Sequence, residues 1–169
     1  MALTSVTIEQ ELPIIQEADI MIGLNELMTP KPFTLFENQT VLDARTLMSE
    51  KNIRHIPIVN KDNILAGIFT QRDLFAVMES RTLQLSQDEQ NFRESQIPLS
   101  DVMTHNPTFA TTKAPLREVA LYLQKEKYGC MPILKKDKLV GLITDSDFVS
   151  VAIDLIEQIE QSEPLETDH

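Results

Sequence analysis

Two stretches of this chain are versions of one another, and that duplication restricts the chain to two similar modules. Leu24-Asn25-Glu26-Leu27-Met28-Thr29-Pro30-Lys31-Pro32 aligns with Leu99-Ser100-Asp101-Val102-Met103-Thr104-His105-Asn106-Pro107 at an offset of 75 residues. At the same offset Arg54-His55-Ile56-Pro57-Ile58-Val59 falls on Gly129-Cys130-Met131-Pro132-Ile133-Leu134. One residue fewer near Asn63 changes the offset to 74, and Leu65-Ala66-Gly67-Ile68-Phe69-Thr70-Gln71-Arg72-Asp73 then matches Leu139-Val140-Gly141-Leu142-Ile143-Thr144-Asp145-Ser146-Asp147. Of only four glycines in the chain, Gly67 and Gly141 land on each other.

Each copy reads as strand, helix, strand, strand, helix. The fold class is therefore α/β (α+β), built from two β-α-β-β-α repeats. Short extended stretches at 33–36 and 108–111 lead into segments of helical period. Val41, Ala44, Leu47 and Met48 share one face, as do Leu116, Val119, Ala120 and Leu123. Pro115 suits a first turn, where its missing N–H has no helical partner to lose. Strands over 53–59 and 64–69, and over 128–134 and 139–143, each flank a polar turn and form a hairpin. A second helix starts at Thr70 or Thr144.

The repeats occupy 24–79 and 99–161. Residues 1–23 read as a docked N-terminal arm with a helical piece near 17–24, because Pro13 interrupts any longer helix. Residues 80–98 are polar and rich in Gln, Glu and Ser, the composition of a linker. Repeat 2 ends in a long helix whose Phe148, Val151, Ala152, Leu155, Ile156 and Ile159 form a wide apolar stripe. That is more apolar face than one small sheet needs, and the surplus predicts a subunit contact. Residues 162–169 are an acidic tail.

The net charge of −11 opposes duplex binding, which draws its affinity from Lys and Arg on phosphates. The acid sits at the two ends: residues 1–30 carry five acids and residues 139–169 carry eight, with no Lys or Arg in either. The middle, 31–138, keeps an excess of about two positive charges, enough to hold a small anion. A single cysteine forms no intramolecular bridge. No apolar run approaches the roughly 18–20 residues of a membrane span, and no basic leader precedes the first repeat. These features predict a soluble, cytoplasmic protein that binds neither nucleic acid nor membrane.

The Met-Thr-x-x-Pro opening, the Arg-His-Ile-Pro-Ile-Val strand and the Gly-h-h-Thr-x-x-Asp signature (h apolar) occur in order and twice. In these features the chain resembles a tandem CBS-domain pair, a Bateman module, over residues 24–159. The resemblance implies two repeats packed sheet to sheet about a pseudo-twofold axis, with two clefts between them that take adenosine-type ligands. It also implies a homodimer of such pairs. The implied ligands are AMP, ADP, ATP or S-adenosylmethionine, acting as regulators with no cofactor required. The candidate binding residues are Thr34, His55, Ile56, Pro57, Ile58, Thr70, Arg72 and Asp73, with Met131, Pro132, Thr144 and Asp147 from the second repeat.

The chemistry of these residues can be stated separately. The Asp73 carboxylate can accept both hydroxyls of a ribose, while Thr70 and Arg72 donate to a phosphate at the positive end of a helix. Backbone groups beside Ile56-Pro57-Ile58 can read the polar rim of an adenine. The same Thr-x-x-Asp spacing is also a helix capping box that needs no ligand. Repeat 2 carries Asp145 and Ser146 where repeat 1 has Gln71 and Arg72, which removes the phosphate partner and adds an acid. A phosphorylated ligand is therefore expected at repeat 1. The runs Lys125-Glu126-Lys127 and Lys135 to Lys138 read as solvated turn faces. His55 and Cys130 occupy equivalent positions but lack the oriented base and oxyanion site of a catalytic pair, so no enzyme is expected. The primary reading is a ligand-sensing module that acts on a regulated partner protein; the alternative is a ligand-free dimerisation scaffold.

Overall fold

The computed structural model describes residues 22–79 and 85–162. The chain runs through α1 (Leu24–Leu27), β1 (Thr29–Pro30), β2 (Leu35–Phe36), α2 (Val41–Lys51), β3 (His55–Val59), β4 (Leu65–Thr70) and α3 (Gln71–Glu79). It continues with α4 (Gln87–Glu94), β5 (Thr104–His105), β6 (Ala110–Thr111), α5 (Leu116–Glu126), β7 (Cys130–Lys135), β8 (Lys138–Thr144) and α6 (Asp145–Ser162). The β-α-β-β-α order is present twice, as β2-α2-β3-β4-α3 and β6-α5-β7-β8-α6. The local devices repeat too. Asn52 and Lys127 occupy equivalent positions, and each ends its helix in the left-handed region, at φ 52° and 58°. Pro115 stands just before the first turn of α5 and not within it.

The two repeats exchange their opening strands. One sheet has the order β2-β3-β4-β5 and the other β1-β8-β7-β6, so each is completed by the opening of the other repeat. Thr104 pairs with Ile68 and His105 with Gly67; Thr29 pairs with Leu142 and Pro30 with Gly141. The crossing explains the coincident glycines. A Cβ on Gly67 would overlap the Met103 sulfur and lie 2.8 Å from the Thr104 carbonyl oxygen, and one on Gly141 would overlap the Met28 sulfur. Only a residue without a side chain admits the crossing strand at that distance.

The cores follow the same exchange. Val41, Ala44 and Met48 of α2 pack on Ile56, Ile58 and Phe69, joined by Leu99 and Met103 from the second repeat's opening. Val119 and Leu123 of α5 pack on Met131, Ile133 and Ile143, joined by Leu24 from the first. Between the sheets, Val59, Leu134 and Leu139 make a small bridging cluster with Leu65. There the Asn63 amide nitrogen donates to the Leu139 carbonyl at 2.8 Å. Neither repeat closes its core alone.

The segment expected to be a linker contains α4. Ser86 and Glu89 cap it reciprocally, the Glu89 carboxylate accepting the Ser86 N–H at 2.9 Å. Glu94 at its end is buried and pairs with Arg45 of α2, which also donates to Asn91 at 2.6 Å. A polar composition here serves a docked helix. The expected arm over 1–23 lies outside the described residues except for Ile22 and Gly23, as does the acidic tail except for Ser162.

The last helix has no buried residue. Phe148 is half-buried against the repeat 2 core, whereas Val149, Ile153, Leu155, Ile156 and Ile159 are exposed. The surplus apolar face inferred from the sequence is therefore left open in a single chain.

Candidate functional site

The signature residues first act on the backbone. The Asp73 carboxylate accepts the Thr70 N–H at 2.8 Å and the Thr70 hydroxyl at 2.7 Å, and the Asp73 N–H donates to Thr70 Oγ1 at 3.3 Å. In repeat 2 the Asp147 carboxylate accepts the Thr144 N–H at 2.7 Å and its hydroxyl at 3.0 Å. Both motifs thus serve as helix caps without any ligand. The Gln71 N–H donates to the Arg54 carbonyl at 2.8 Å, so part of the expected anion-facing donor set is already engaged. The Arg72 side chain makes no hydrogen bond or ion pair among the described residues, and it is exposed.

Beside this helix start lies a cavity of about 490 Å³ between the repeats. It brings together His55, Thr70, Arg72, Asp73, Met131 and Pro132 of the candidate residues. Thr34, Ile56, Pro57, Ile58, Thr144 and Asp147 lie elsewhere. Ile56 and Ile58 are wholly buried in the repeat 1 core and Pro57 is buried beside them, so their side chains are committed to packing. Any contact they make with a ligand runs through the backbone.

Sequence reasoning missed several lining residues. Thr104, Pro107 and Thr108 enter from the second repeat's opening because that strand crosses onto β4. Arg54, Phe75, Lys127 and Tyr128 also line the space. Lys127, expected on a solvated turn, borders the cleft because the left-handed end of α5 turns the chain there. The repeated Met-Thr-x-x-Pro opening was the available signal for the strand exchange. Nothing in either repeat read singly marks Lys127.

The His55 ring packs against Gly129, where a Cβ would come within 2.8 Å of Nε2. Burial lowers the His55 pKa below its ordinary value; Asp145 and Asp73 oppose this, and Arg54 and Arg72 reinforce it. The imidazole is therefore neutral at neutral pH. Burial, with the negative Asp145 and Asp73 nearby, pushes the Cys130 thiol up to about 12. It stays protonated and is a poor nucleophile. Arg54 Nη2 reaches the other signature and donates to Ser146 Oγ at 3.3 Å. A cation therefore stands near the repeat 2 motif, where the sequence offered only acids.

The comparisons agree with this architecture. The family model described as CBS domain matches residues 24–80 and again 99–154. A Vibrio cholerae protein named for acetoin utilization (AcuB) has a similar crystal structure, with 44% identity and a TM-score of 0.69, over 86% of this chain and 100% of that one. CBSX2 in complex with AMP superimposes with a TM-score of 0.65 at 22% identity, over 79% of this chain and 97% of that one. The CBS domain pair of protein MJ0100, solved with 5′-methylthioadenosine and S-adenosyl-L-methionine, gives 0.65 at 22% identity, over 78% and 96%. Curated relatives differ in length. The chain spans 23% of a homoserine O-acetyltransferase from Methanococcus vannielii, at 33% identity over 122 residues or 72% of this chain. It spans 94% of a CBS domain-containing protein from Dictyostelium discoideum, at 28% identity over 137 residues or 80% of this chain. With two family matches, two sheets that complete each other and a cleft between them, the chain belongs to the CBS domain family as a tandem CBS pair.

Proposed function

We propose that this chain is a regulatory module that binds an adenosine-type ligand in the cleft beside Thr70 to Asp73. One observation carries the reading: Arg72, Arg54 and Asp73 line the same space between the repeats. Cations suit a phosphate, and Asp73 suits ribose hydroxyls. The AMP complex and the S-adenosyl-L-methionine complex of similarly folded CBS pairs support the same ligand class. Binding between repeats favours one relative orientation of the two sheets, which a regulated partner protein senses. We assign no catalytic step: the protonated Cys130 and neutral His55 supply no activated nucleophile. No helix among the described residues is long and apolar enough to cross a membrane; a cytoplasmic location is part of the proposal.

The scaffold reading has one observation in its favour, since the repeat 1 capping box is complete without ligand and the Asp147 carboxylate of repeat 2 already accepts the Thr144 N–H and hydroxyl. Ligand-linked stability separates the two. At a free ligand concentration of 100 times Kd the stabilisation is about 2.7 kcal/mol, which raises the melting midpoint by roughly 5–11 °C in a chain of this size. A thermal-shift panel of adenosine, AMP, ADP, ATP and S-adenosylmethionine is expected to show such a rise with at least one ligand. No response at millimolar ligand would leave the scaffold.

We also propose a homodimer seam along α6. Ile159 is 58% exposed and Leu155 39% in the single chain. Ile159→Glu or Leu155→Glu is expected to shift the sedimentation coefficient to that of a monomer, because an unpaired charge in an apolar seam is strongly disfavoured. An unchanged mass in both variants removes α6 from the interface.

A further inference from the structure

Among the described residues, repeat 1 carries a covering helix that repeat 2 does not. Helix α4 precedes the opening of the second repeat and lies on α2, where Arg45 holds Glu94 and donates to Asn91 at 2.6 Å. At the offset of 75 residues the counterpart of Arg45 is Ala120 of α5. Ala120 lines an open groove of about 580 Å³ between α5 and the start of α6, with Leu121, Gln124 and Phe148 among its other walls. We propose that this groove is the docking surface for the chain's own N-terminal arm, with residues 12–21 taking the place on repeat 2 that α4 takes on repeat 1.

The path of the chain supports this first. After α4, residues 95–98 lead into Leu99, which is wholly buried in the repeat 1 core. At the same offset residues 20–23 lead into Leu24, buried in the repeat 2 core. Helix α4 therefore corresponds to residues 12–19, which stand as far before their opening as α4 stands before the other. The arm also enters at the right place. Leu24 and Phe148 belong to one core cluster, and Phe148 is a wall of the groove.

The chemistry of each surface matches its cover. Helix α4 meets Arg45 with polar groups, and its Gln90 amide donates to the buried Glu94 at 2.9 Å. Repeat 2 presents Ala120 and Leu121 instead, and Leu121 is 46% exposed. The counterpart of Gln90 is Ile15, within an arm that also brings Leu12, Ile14, Ile20 and Met21. An apolar cover thus meets an apolar floor, and both leave water together. Charge agrees with this. Residues 1–21 carry four acids and no Lys or Arg, while the groove walls hold Arg72, Arg117 and Lys127 against Asp145. Because Arg72, Lys127, Tyr128, Gly129 and Asp145 also line the cleft between the repeats, the docked arm forms one side of that cleft.

The test is amide hydrogen exchange on the full chain without ligand, joined to cross-linking. Amides of residues 12–21 are expected to exchange at least about ten-fold more slowly than in an unstructured peptide of the same sequence. Leu121→Glu should abolish that protection, whereas Thr46→Glu, at the equivalent exposed position of α2, should leave it unchanged. Exchange in α5 and β7 reads the folding of both variants independently. Gln16→Cys combined with Gln124→Cys should join within one chain through a short bismaleimide, and Cys130, buried and protonated, does not compete. Residues 12–21 exchanging at the peptide rate would overturn the proposal, as would protection that survives Leu121→Glu. Cross-links formed only between chains would give the groove to the arm of a second copy and overturn docking within the chain.

Discussion

Replacing Arg45 with alanine is expected to cost about 3 kcal/mol of folding stability and to lower the melting midpoint by roughly 6–12 °C. The cause is Glu94, which is 4% exposed at the end of α4. Its two carboxylate oxygens are used separately: Oε2 accepts from Arg45 Nε, and Oε1 accepts from the Gln90 amide at 2.9 Å. Removing the guanidinium leaves a buried carboxylate with one neutral donor, and also strips Asn91 of its 2.6 Å partner. Because Arg45 itself keeps some contact with solvent, the loss belongs at the lower end of what breaking a buried pair costs. The paired replacement Arg45→Met with Glu94→Met should recover most of the stability, since it removes both desolvated charges together. Differential scanning calorimetry of the three variants reads this directly. A midpoint unchanged in Arg45→Ala would mean that α4 is held by its apolar contacts and not by the pair.

That network also shows which parts of the fold were legible in the sequence. Helix and hairpin positions came from periodicity, and Val41, Ala44, Met48, Val119 and Leu123 are buried as their spacing requires. The duplication carried the rest, because each segment could be checked against its copy. Two features escaped. The opening strands are two residues long, too short for any period to register, and their partners lie in the other repeat. Helix α4 was hidden by a composition that normally marks loops. Its capping box at Ser86 and Glu89 was the readable clue, while its reason for docking, the Arg45 partner, lies 49 residues away.

The same exchange limited the reading of the site. The sequence put the site between the repeats and named Met131 and Pro132 from the second, both of which line the cleft, but it did not reach Thr104, Thr108 and the segment from Lys127 to Cys130, which the second repeat also contributes. Burial then separates residues that the sequence grouped, with Ile56 and Ile58 turned into the core and His55, on the same strand, half-exposed toward the cleft. Alternation along β3 does not show this, because the strand is buried on both faces from Ile56 to Val59. Arg54 was quoted within its motif but given no part, since its reach to Ser146 spans 92 residues of sequence.

Arg72→Ala is expected to weaken AMP by roughly 10- to 100-fold and to leave adenosine within about two-fold, the signature of one lost charge-assisted hydrogen bond to phosphate. Arg72 is the informative position because its side chain is exposed and carries no part of the helix cap. Asp73→Ala should also abolish binding, but it removes the acceptor for the Thr70 N–H and hydroxyl, at a cost of about 1 kcal/mol in stability with no ligand present. Asp147→Ala carries the same capping cost and is the control for it: it should lower the melting midpoint while leaving the dominant titration intact. Arg54 decides how strictly the two sites differ. Held at 3.3 Å from Ser146, it stands between the first cleft and the second signature and can serve an anion at only one of them at a time. Titration of the unmodified chain should therefore show one dominant site for AMP. Two equal sites, or equal losses of AMP and adenosine in Arg72→Ala, would move the phosphate from Arg72 to Arg54.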